Sequence, residues 1–271
     1  MKLATFNVNG INARLEILAQ WLKTASPDAV ALQETKTTDD TFPIEVIRSL
    51  GYEAFYSGQK SYNGTAILVR NKAFSRAELF AKNIPHYPDE AARAITVKLT
   101  ETSGKSFLFI DAYFPNGQEV GSTKFLYKLD WIASLNLWIR ELLQAGETVL
   151  LAGDFNIAPT DDDVYDPQGW AGNILVSAPE RDAFAGLIQT GLVDLRMLLP
   201  HKAADYSWWD YRFQGFEKDK GLRIDHILAN GSLACRLSSV TVDRTVRSMD
   251  RPSDHAPVIA LFKDELQGSL F

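Results

Sequence analysis

The sequence predicts an α/β protein in which two β-sheets pack against each other and helices cover them. Short apolar runs separated by turn residues recur along the 271-residue chain, and fewer stretches show helical spacing. Many strands with a few inserted helices favour two packed sheets under helices. Because no Ser/Gly-rich linker, low-complexity tract or charge block interrupts the chain, we predict a single domain spanning residues 1–271.

The predicted strands are short runs rich in apolar, β-branched or aromatic residues. Turn residues such as Gly, Asn, Asp and Pro bound most of them, which is typical of strands. The strands are predicted, in chain order, at residues 2–8, 29–34, 52–57, 64–70, 93–99, 106–113, 148–153, 206–211, 222–229, 238–243 and 256–262.

Apolar residues at helical spacing predict the helices that lie between these strands. Helices are expected over 13–24 and 42–50, and the longest over 122–145. A fourth is expected over 180–190, because Ser177-Ala-Pro-Glu180 carries the residues that favour a helix start. The apolar stripe of the longest helix is predicted to consist of Phe125, Leu129, Ile132 and Leu135.

Composition narrows the class of protein and its location. With 28 Lys and Arg against 34 Asp and Glu, the formal net charge of −6 argues against a protein that coats DNA or an anionic membrane, although it does not locate the charges. A single cysteine, Cys235, fits a reducing compartment. The first residues turn polar too soon for a signal peptide, and no apolar run approaches the roughly 20 residues of a membrane helix. We therefore expect a cytoplasmic protein without a membrane partner.

Polar side chains of a restricted kind follow four of the predicted strands. Strands that share a core end at a common edge, so these side chains can build one site from remote positions. Any one segment alone is explained better by a turn, because Asp and Asn favour turns, but four such segments together favour a shared site. In Asp154-x-Asn156 the period of two places a carboxylate and an amide on one face, where they could accept a proton from water and hold a phosphoryl oxygen. The polar residues are Asn7 and Asn9, Glu34 and Lys36, Tyr113 and Asn116, and Asp154 and Asn156.

A carboxylate within a predicted strand, Asp225, needs a partner because its desolvation is costly. Arg223 would form a structural ion pair with it. His255 is the functional alternative, because a carboxylate orients an imidazole and stabilises its charged form. The competing imidazole, His226, lies on the apolar face of that strand, where a core histidine is the expected interpretation.

Metal-assisted hydrolysis is the chemistry that these groups favour. Glu34 and Asp254 are hard oxygen ligands that suit Mg²⁺, for which Mn²⁺ could substitute. The sequence has neither the Cys/His spacing of a structural zinc site nor a Walker phosphate loop, a G-x-G-x-x-G fingerprint or a local signature of a Ser or Cys nucleophile.

Together these motifs resemble the exonuclease III family of abasic-site endonucleases, within the DNase I-like endonuclease/exonuclease/phosphatase superfamily. The resemblance runs in family order over nearly the whole chain and implies a four-layer αββα sandwich with two mixed β-sheets packed face to face and helices outside. The matching strings are Phe6-Asn7-Val-Asn9-Gly10, Leu32-Gln33-Glu34-Thr35-Lys36, Tyr113-Phe-Pro-Asn-Gly117, Gly153-Asp-Phe-Asn156-Ile-Ala-Pro159, Tyr206-Ser-Trp-Trp-Asp-Tyr-Arg212, Gly221-Leu-Arg-Ile-Asp225 and Arg251-Pro-Ser-Asp-His-Ala-Pro257.

The resemblance also implies an activity and residue roles. The implied protein is a monomeric, Mg²⁺-dependent DNA repair nuclease, which cuts duplex DNA 5′ of abasic sites, has 3′-5′ exonuclease activity and removes blocking groups from 3′ ends. Asp154 activates or orients the attacking water, and His255, oriented by Asp225, stabilises the transition state. The remaining implied roles are phosphate or nucleophile binding by Asn156, Asn7 and Tyr113, metal binding by Glu34 and Asp254 with Asn7 or Asn9, phosphate contacts by Lys36, Arg93 and Asn116, and a pocket for a baseless sugar walled by Trp208 and Leu222.

Two features leave alternatives open. Some relatives carry Asp where this chain has Asn9, which would give the metal one more negative ligand, so metal affinity is an open question. The same fold and the Asp-x-Asn and Asp-His chemistry also serve phosphatases of inositol phosphates and lipid-headgroup hydrolases. A DNA-binding relative that has lost catalysis is the alternative from another class, and the intact set of site residues argues against it.

Overall fold

The computed structural model describes residues 1–200 and 205–264. Two mixed six-stranded sheets lie at its centre, beside a two-stranded ribbon. The strands are β1 (Lys2–Asn7), β2 (Ala29–Gln33), β3 (Tyr52–Ser57), β4 (Thr65–Arg70), β5 (Arg76–Lys82), β6 (Ala94–Thr100), β7 (Ser106–Tyr113), β8 (Val149–Asp154), β9 (Leu192–Asp194), β10 (Trp208–Trp209), β11 (Gly221–Leu222), β12 (Asp225–Asn230), β13 (Leu237–Val242) and β14 (Val258–Phe262). Their order is β13-β14-β1-β2-β4-β3 in the first sheet and β5-β6-β7-β8-β12-β9 in the second, and β10 pairs with β11.

Helices cover the outer faces of both sheets. Among them α1 and α2 pack on the first sheet, and α3 and α5 pack on the second. Between the sheets lies an apolar core to which both contribute, for example Leu3 from β1 and Phe109 from β7. The predicted four-layer αββα sandwich is therefore confirmed. The helices are α1 (Leu15–Ala25), α2 (Ile44–Ser49), α3 (Thr123–Gln144), α4 (Pro167–Trp170), α5 (Ala178–Gln189) and α6 (Gly231–Ala234). None of the helices within the described ranges is long and apolar enough to cross a membrane.

The two long helices of the second sheet begin where the sequence predicts. The Ser122 hydroxyl caps α3 by accepting from the backbone N–H of Phe125, and Ser177 with Glu180 forms a capping box at the start of α5. The predicted stripe of α3 is wrong at one position, because Leu129 is only half-buried whereas Lys128 is fully buried. A charged residue therefore occupies a core position of this helix.

Several predicted strands differ from the structure. The strand predicted over 222–229 is interrupted between β11 and β12. There the backbones of Arg223 and Ile224 hydrogen-bond to Asp163 and Phe155, which lie in other loops. The strand predicted over 206–211 shrinks to β10. The strand β5 is not predicted from the sequence. It is an edge strand whose alternation of buried and exposed residues is lost at a register shift after Leu79, where Leu79 and Phe80 are both exposed. The strand β9 has only three residues, too few to show a period.

Candidate active site

The carboxyl ends of neighbouring strands bring the polar residues of both sheets together. In the first sheet Asn7, at the end of β1, lies opposite Gln33, at the end of the parallel strand β2. In the second sheet Tyr113, at the end of β7, lies opposite Asp154, at the end of the parallel strand β8. Asp225 begins the antiparallel strand β12 opposite Asp154. A single site therefore forms at one end of the space between the sheets.

Asp154 lies at the centre of this site and is almost completely buried. Its Oδ2 accepts a hydrogen bond from Nδ2 of Asn7 at 2.9 Å, and its Oδ1 accepts one from the backbone N–H of Asn156 at 2.9 Å. Nε2 of His255 lies 3.7 Å from Oδ2. Burial raises the pKa of Asp154 to about 7, against the opposing attraction of His255. A carboxyl group that exchanges a proton near neutral pH is suited to general base catalysis.

The imidazole of His255 is held by a second buried carboxylate. Its Nδ1 lies 2.8 Å from Oδ2 of Asp225, and the Ser207 hydroxyl donates to the same oxygen at 2.6 Å. Burial alone would lower the pKa of His255, but the carboxylates of Asp225 and Asp154 outweigh burial and raise it to about 10. The ring is therefore charged at neutral pH and can stabilise negative charge that develops on a phosphate.

A chain of polar contacts joins the predicted metal ligands. Oε1 of Glu34 accepts from Nδ2 of Asn7 at 2.9 Å, and Nζ of Lys36 lies 2.6 Å from Oε2. Lys36 also donates to Oδ1 of Asn9 at 2.6 Å, and Nδ2 of Asn9 donates to Oδ1 of Asp254 at 2.9 Å. Burial opposes ionisation of Glu34, yet the neighbouring ammonium keeps its pKa below the usual value. Carboxylate and amide oxygens are the hard donors that a divalent cation takes, and this chain of contacts links the carboxylates of Glu34 and Asp254 through Lys36 and Asn9.

A second group of metal-capable atoms lies deeper. Asp154, Asp225 and His255 have ligand atoms within 4.8 Å of one another. A charged imidazole cannot ligate a metal, and Oδ2 of Asp225 already accepts two hydrogen bonds. This group is better suited to moving and stabilising charge than to holding an ion.

An open cavity of about 640 Å³ lies beside Tyr113 and is also lined by Arg93 and Asn116. The Arg93 guanidinium lies 5.2 Å from the centroid of the Tyr113 ring, and Nδ2 of Asn116 donates to Oδ1 of Asn156 at 3.0 Å. Burial, followed by the charges of Glu34 and of the central carboxylate, raises the pKa of Tyr113 well above its usual value. Its hydroxyl group therefore stays neutral and can donate a hydrogen bond.

The two predicted pocket residues differ in their access to the site. Trp208 is half-buried, and its Nε1 donates to Oδ2 of Asp254 at 3.0 Å. Leu222 pairs with Trp208 in the ribbon, but its side chain is 0% exposed and packs with Leu175 and Ile224. Trp208 thus reaches the site directly, whereas Leu222 is covered by its neighbours.

His226 and Arg223 belong to a structural network outside this centre. Nε2 of His226 lies 2.9 Å from the Ile157 carbonyl oxygen, and Nδ1 lies 2.8 Å from Nη1 of Arg223. Arg223 pairs with Asp163 at 2.7 Å and with Asp194 at 2.8 Å. The interpretation of His226 as a hydrogen-bonded core histidine is confirmed. The alternative pairing of Arg223 with Asp225 is wrong, because Arg223 pairs with Asp163 and Asp194 instead.

Sequence reasoning missed the serines that support the site. The Ser253 hydroxyl donates to the Asn7 carbonyl oxygen at 2.7 Å and accepts from the backbone N–H of His255 at 3.2 Å. The Ser207 hydroxyl donates to Oδ2 of Asp225 at 2.6 Å and accepts from the backbone N–H of the same residue at 3.0 Å. Both serines lie inside the motif strings, but neither their spacing nor the strand period predicts where a hydroxyl group will donate.

The backbone at the site has a feature that the sequence does not predict. Four non-glycine residues of the site have left-handed φ angles: 47° at Asn9, 53° at Glu34, 51° at Lys36 and 51° at Asn156. Such conformations are costly and tend to cluster where function demands them.

Comparison with known proteins places this arrangement in a family. Residues 4–255 match the endonuclease/exonuclease/phosphatase family. Exodeoxyribonuclease III of Haemophilus influenzae is 35% identical over 97% of this chain and 100% of its own. The 3′-5′ exonuclease NExo of Neisseria meningitidis, a protein also described as a 3′ phosphatase and solved with a product DNA hairpin, is 38% identical with a TM-score of 0.88 over 97% of this chain and 100% of its own. An AP endonuclease of Archaeoglobus fulgidus, with the same coverage, is 31% identical with a TM-score of 0.88. The chain belongs to the exonuclease III group of the endonuclease/exonuclease/phosphatase family.

Proposed function

We propose that this protein is a metal-dependent DNA repair nuclease that hydrolyses the phosphodiester bond 5′ of abasic sites and also trims or unblocks 3′ ends. One observation carries the proposal, namely the buried Asp154 carboxylate held by Asn7 and Asn156 beside a charged His255. The relatives, which are named as exodeoxyribonucleases and AP endonucleases, support DNA as the substrate.

The roles follow from the protonation states of these groups. Asp154 accepts a proton from the attacking water, whose oxygen bonds to phosphorus as the bond from phosphorus to the 3′ oxygen breaks. The 3′ oxygen leaves with the bonding electron pair and takes a proton from solvent to become a hydroxyl group. Asn7 and Asn156 hold the water and the phosphate in line. His255, fixed by Asp225, supplies positive charge to the phosphoryl oxygens, and the neutral Tyr113 hydroxyl donates a hydrogen bond to them.

Glu34 and Asp254, with Asn7 or Asn9 nearby, would hold the cation, which we propose to be Mg²⁺ with Mn²⁺ as a substitute. When bound, such an ion neutralises charge on the phosphate and on the leaving oxygen. Lys36 already places one positive charge beside Glu34, so a bound cation would have to compete with this ammonium group for the carboxylate.

The proposed DNA contacts extend outward from this centre. Lys36, Arg93 and Asn116 would meet phosphates, and Trp208 would contact a flipped, baseless sugar. Leu222 could wall the same pocket only after the side chains that cover it move apart. The substrate would be duplex DNA with an abasic site or a 3′ end, bound by a monomer.

Cleavage assays test the proposal directly. An abasic duplex, a duplex with recessed 3′ ends and an undamaged plasmid are each incubated with Mg²⁺ or EDTA. We expect the first two to be cut only with Mg²⁺, and Asp154→Asn or His255→Ala to lower the rate by about 10²-fold or more while the fold is retained. Wild-type rates in either variant would contradict the assigned chemistry. Turnover of inositol phosphates or lipid headgroups without cleavage of DNA would favour the other phosphoesterases of this fold.

A further inference from the structure

A fully buried lysine lies behind the site. Lys128 stands on the inner face of α3 with a side-chain exposure of 0%, among residues that are otherwise mostly apolar. Its ammonium group donates to the carbonyl oxygen of Asn156 at 2.7 Å, to that of Asn116 at 3.2 Å and to the Glu180 carboxylate. All three of its N–H groups are therefore used.

Two of these acceptors belong to the loops that carry site residues. Asn116 follows β7 and Asn156 follows β8, so one ammonium group ties the two loops together. Asn156 in turn donates its backbone N–H to Asp154 at 2.9 Å and its Nδ2 to the Phe114 carbonyl oxygen at 3.1 Å. Because Asn156 also has a left-handed φ of 51°, the contact from Lys128 helps to hold a backbone conformation that is otherwise unfavourable.

The counter-charge is itself fixed by the backbone. Glu180 is completely buried, and it accepts from the N–H of Leu175 at 3.0 Å and from the N–H and hydroxyl of Ser177 at 3.1 and 2.6 Å. A buried ion pair is expensive to desolvate, and apolar residues of similar size often replace one without loss of stability. Filling the space under α3 therefore does not by itself explain a lysine at this position.

We propose that Lys128 is a positioning residue for the nuclease reaction, whose ammonium group holds the Asn116 and Asn156 loops so that Asp154 and Asn156 keep their reactive orientation. This inference rests on the catalytic roles proposed above for Asp154 and Asn156. Lys128 hydrogen-bonds to neither Asp154 nor Asp225. It acts on the reaction centre through the backbone of the two loops, and its charge also attracts Asp154.

The double variant Lys128→Met/Glu180→Gln removes the ion pair without leaving an unpaired buried charge. We expect it to fold, and kcat on an abasic duplex to fall about 10- to 100-fold while KM changes less than about threefold, because small misplacements of reacting groups cost rate rather than binding. Lys128→Gln/Glu180→Gln also removes both charges but keeps an amide donor for a carbonyl oxygen, so its kcat should lie between those of wild type and Lys128→Met/Glu180→Gln.

The control Lys98→Met/Glu147→Gln makes the same substitutions in a partly exposed ion pair at the other end of the second sheet. Nζ of Lys98 lies 3.2 Å from Oε1 of Glu147, and removal of this pair should leave kcat within twofold. Rates are measured below the melting temperature of every variant, so that a loss of stability is not mistaken for a loss of positioning. A folded double variant with kcat within twofold of wild type would overturn the inference, and so would rates that follow melting temperature rather than the number of donors. An active Asp154→Asn variant would instead overturn the proposed function.

Discussion

At the scale of single residues, the site keeps two neighbouring groups, Asp154 and His255, in different protonation states. Asp154 and His255 are both buried and only 3.7 Å apart, yet the pKa of the first rises to about 7 and that of the second to about 10. Burial dominates at the aspartate, whereas two carboxylates dominate at the histidine. A proton acceptor and a fixed positive charge can therefore lie side by side at neutral pH.

The dependence of His255 on its partner gives the first prediction. Asp225→Asn removes the negative charge that orients the ring and raises its pKa, and the ring should then lose its charge at a lower pH. We expect cleavage of an abasic duplex to fall about 10- to 100-fold, the range seen when outer-shell partners are lost. The measurement is kcat together with the pH titration of the His255 ring by NMR.

Ser207→Ala is the matched comparison, because it removes one hydrogen bond to the same carboxylate and keeps its charge. It should lower activity less than Asp225→Asn does. An asparagine variant with an unchanged ring titration would show that the carboxylate does not control this histidine.

At the scale of elements, the sequence predicts what apolar periodicity determines and misses what depends on partners. The ends of β1, β2, β7 and β8 could be read from apolar runs that stop at polar residues, and this was enough to predict the site. The buried charges could not be read in this way. Lys128 lies in the apolar stripe of α3 because its acceptors come from loops distant in sequence, and β5 lies at an exposed edge where alternation is not required.

The Arg223 network shows how a charged cluster can join elements. Arg223 links Asp163, before α4, to Asp194 of β9, and all three side chains are at most 5% exposed. Removing the arginine by Arg223→Met leaves two buried carboxylates without their counter-charge. We expect the free energy of unfolding at neutral pH to fall by about 3–5 kcal/mol, measured by urea denaturation.

Arg76→Met is the control for this change, because Arg76 pairs with Glu78 through an exposed bridge. Exposed pairs contribute about 0–1 kcal/mol, so its effect should be small. Equal losses in the two variants would show that burial of the Arg223 network adds nothing to stability.

Low pH should remove the contribution of the Arg223 network to the free energy of unfolding. Burial opposes ionisation of Asp163 and Asp194, but Arg223 outweighs burial and lowers the pKa of both carboxyl groups. Their contribution to stability is therefore present above the pKa of about 4 that they have in the unfolded chain, and it is lost as pH falls below that value. We expect the stability gap between wild type and Arg223→Met to narrow between about pH 4 and pH 2, as followed by urea denaturation at a series of pH values. A gap that stays constant over this range would contradict the assignment.

At the scale of the whole molecule, the net charge of −6 conceals an uneven distribution. In the formal count, with His neutral, four of the acidic residues, Glu34, Asp154, Asp225 and Asp254, lie in one site, so the rest of the chain carries a formal charge of −6 + 4 = −2. Positive charge lies beside this site, because Lys36 pairs with Glu34 and Arg93 lines the cavity next to Tyr113. Attraction to DNA must then come from a few local contacts rather than from a general basic surface, and binding should be modest and sensitive to salt.

The salt dependence of binding therefore tests where the DNA backbone lies. In an Asp154→Asn background, which keeps the substrate intact, Arg93→Gln should weaken binding of an abasic duplex and reduce the slope of log K against log salt by about 1, the value for one lost phosphate contact. Arg236→Gln is the control, because Arg236 pairs with Glu101 at the opposite end of the second sheet and should leave the slope unchanged. Fluorescence anisotropy at several salt concentrations gives both slopes. If Arg93→Gln weakened binding equally at every salt concentration, the residue would be acting through the cavity beside Tyr113 and Asn116 and not through a phosphate.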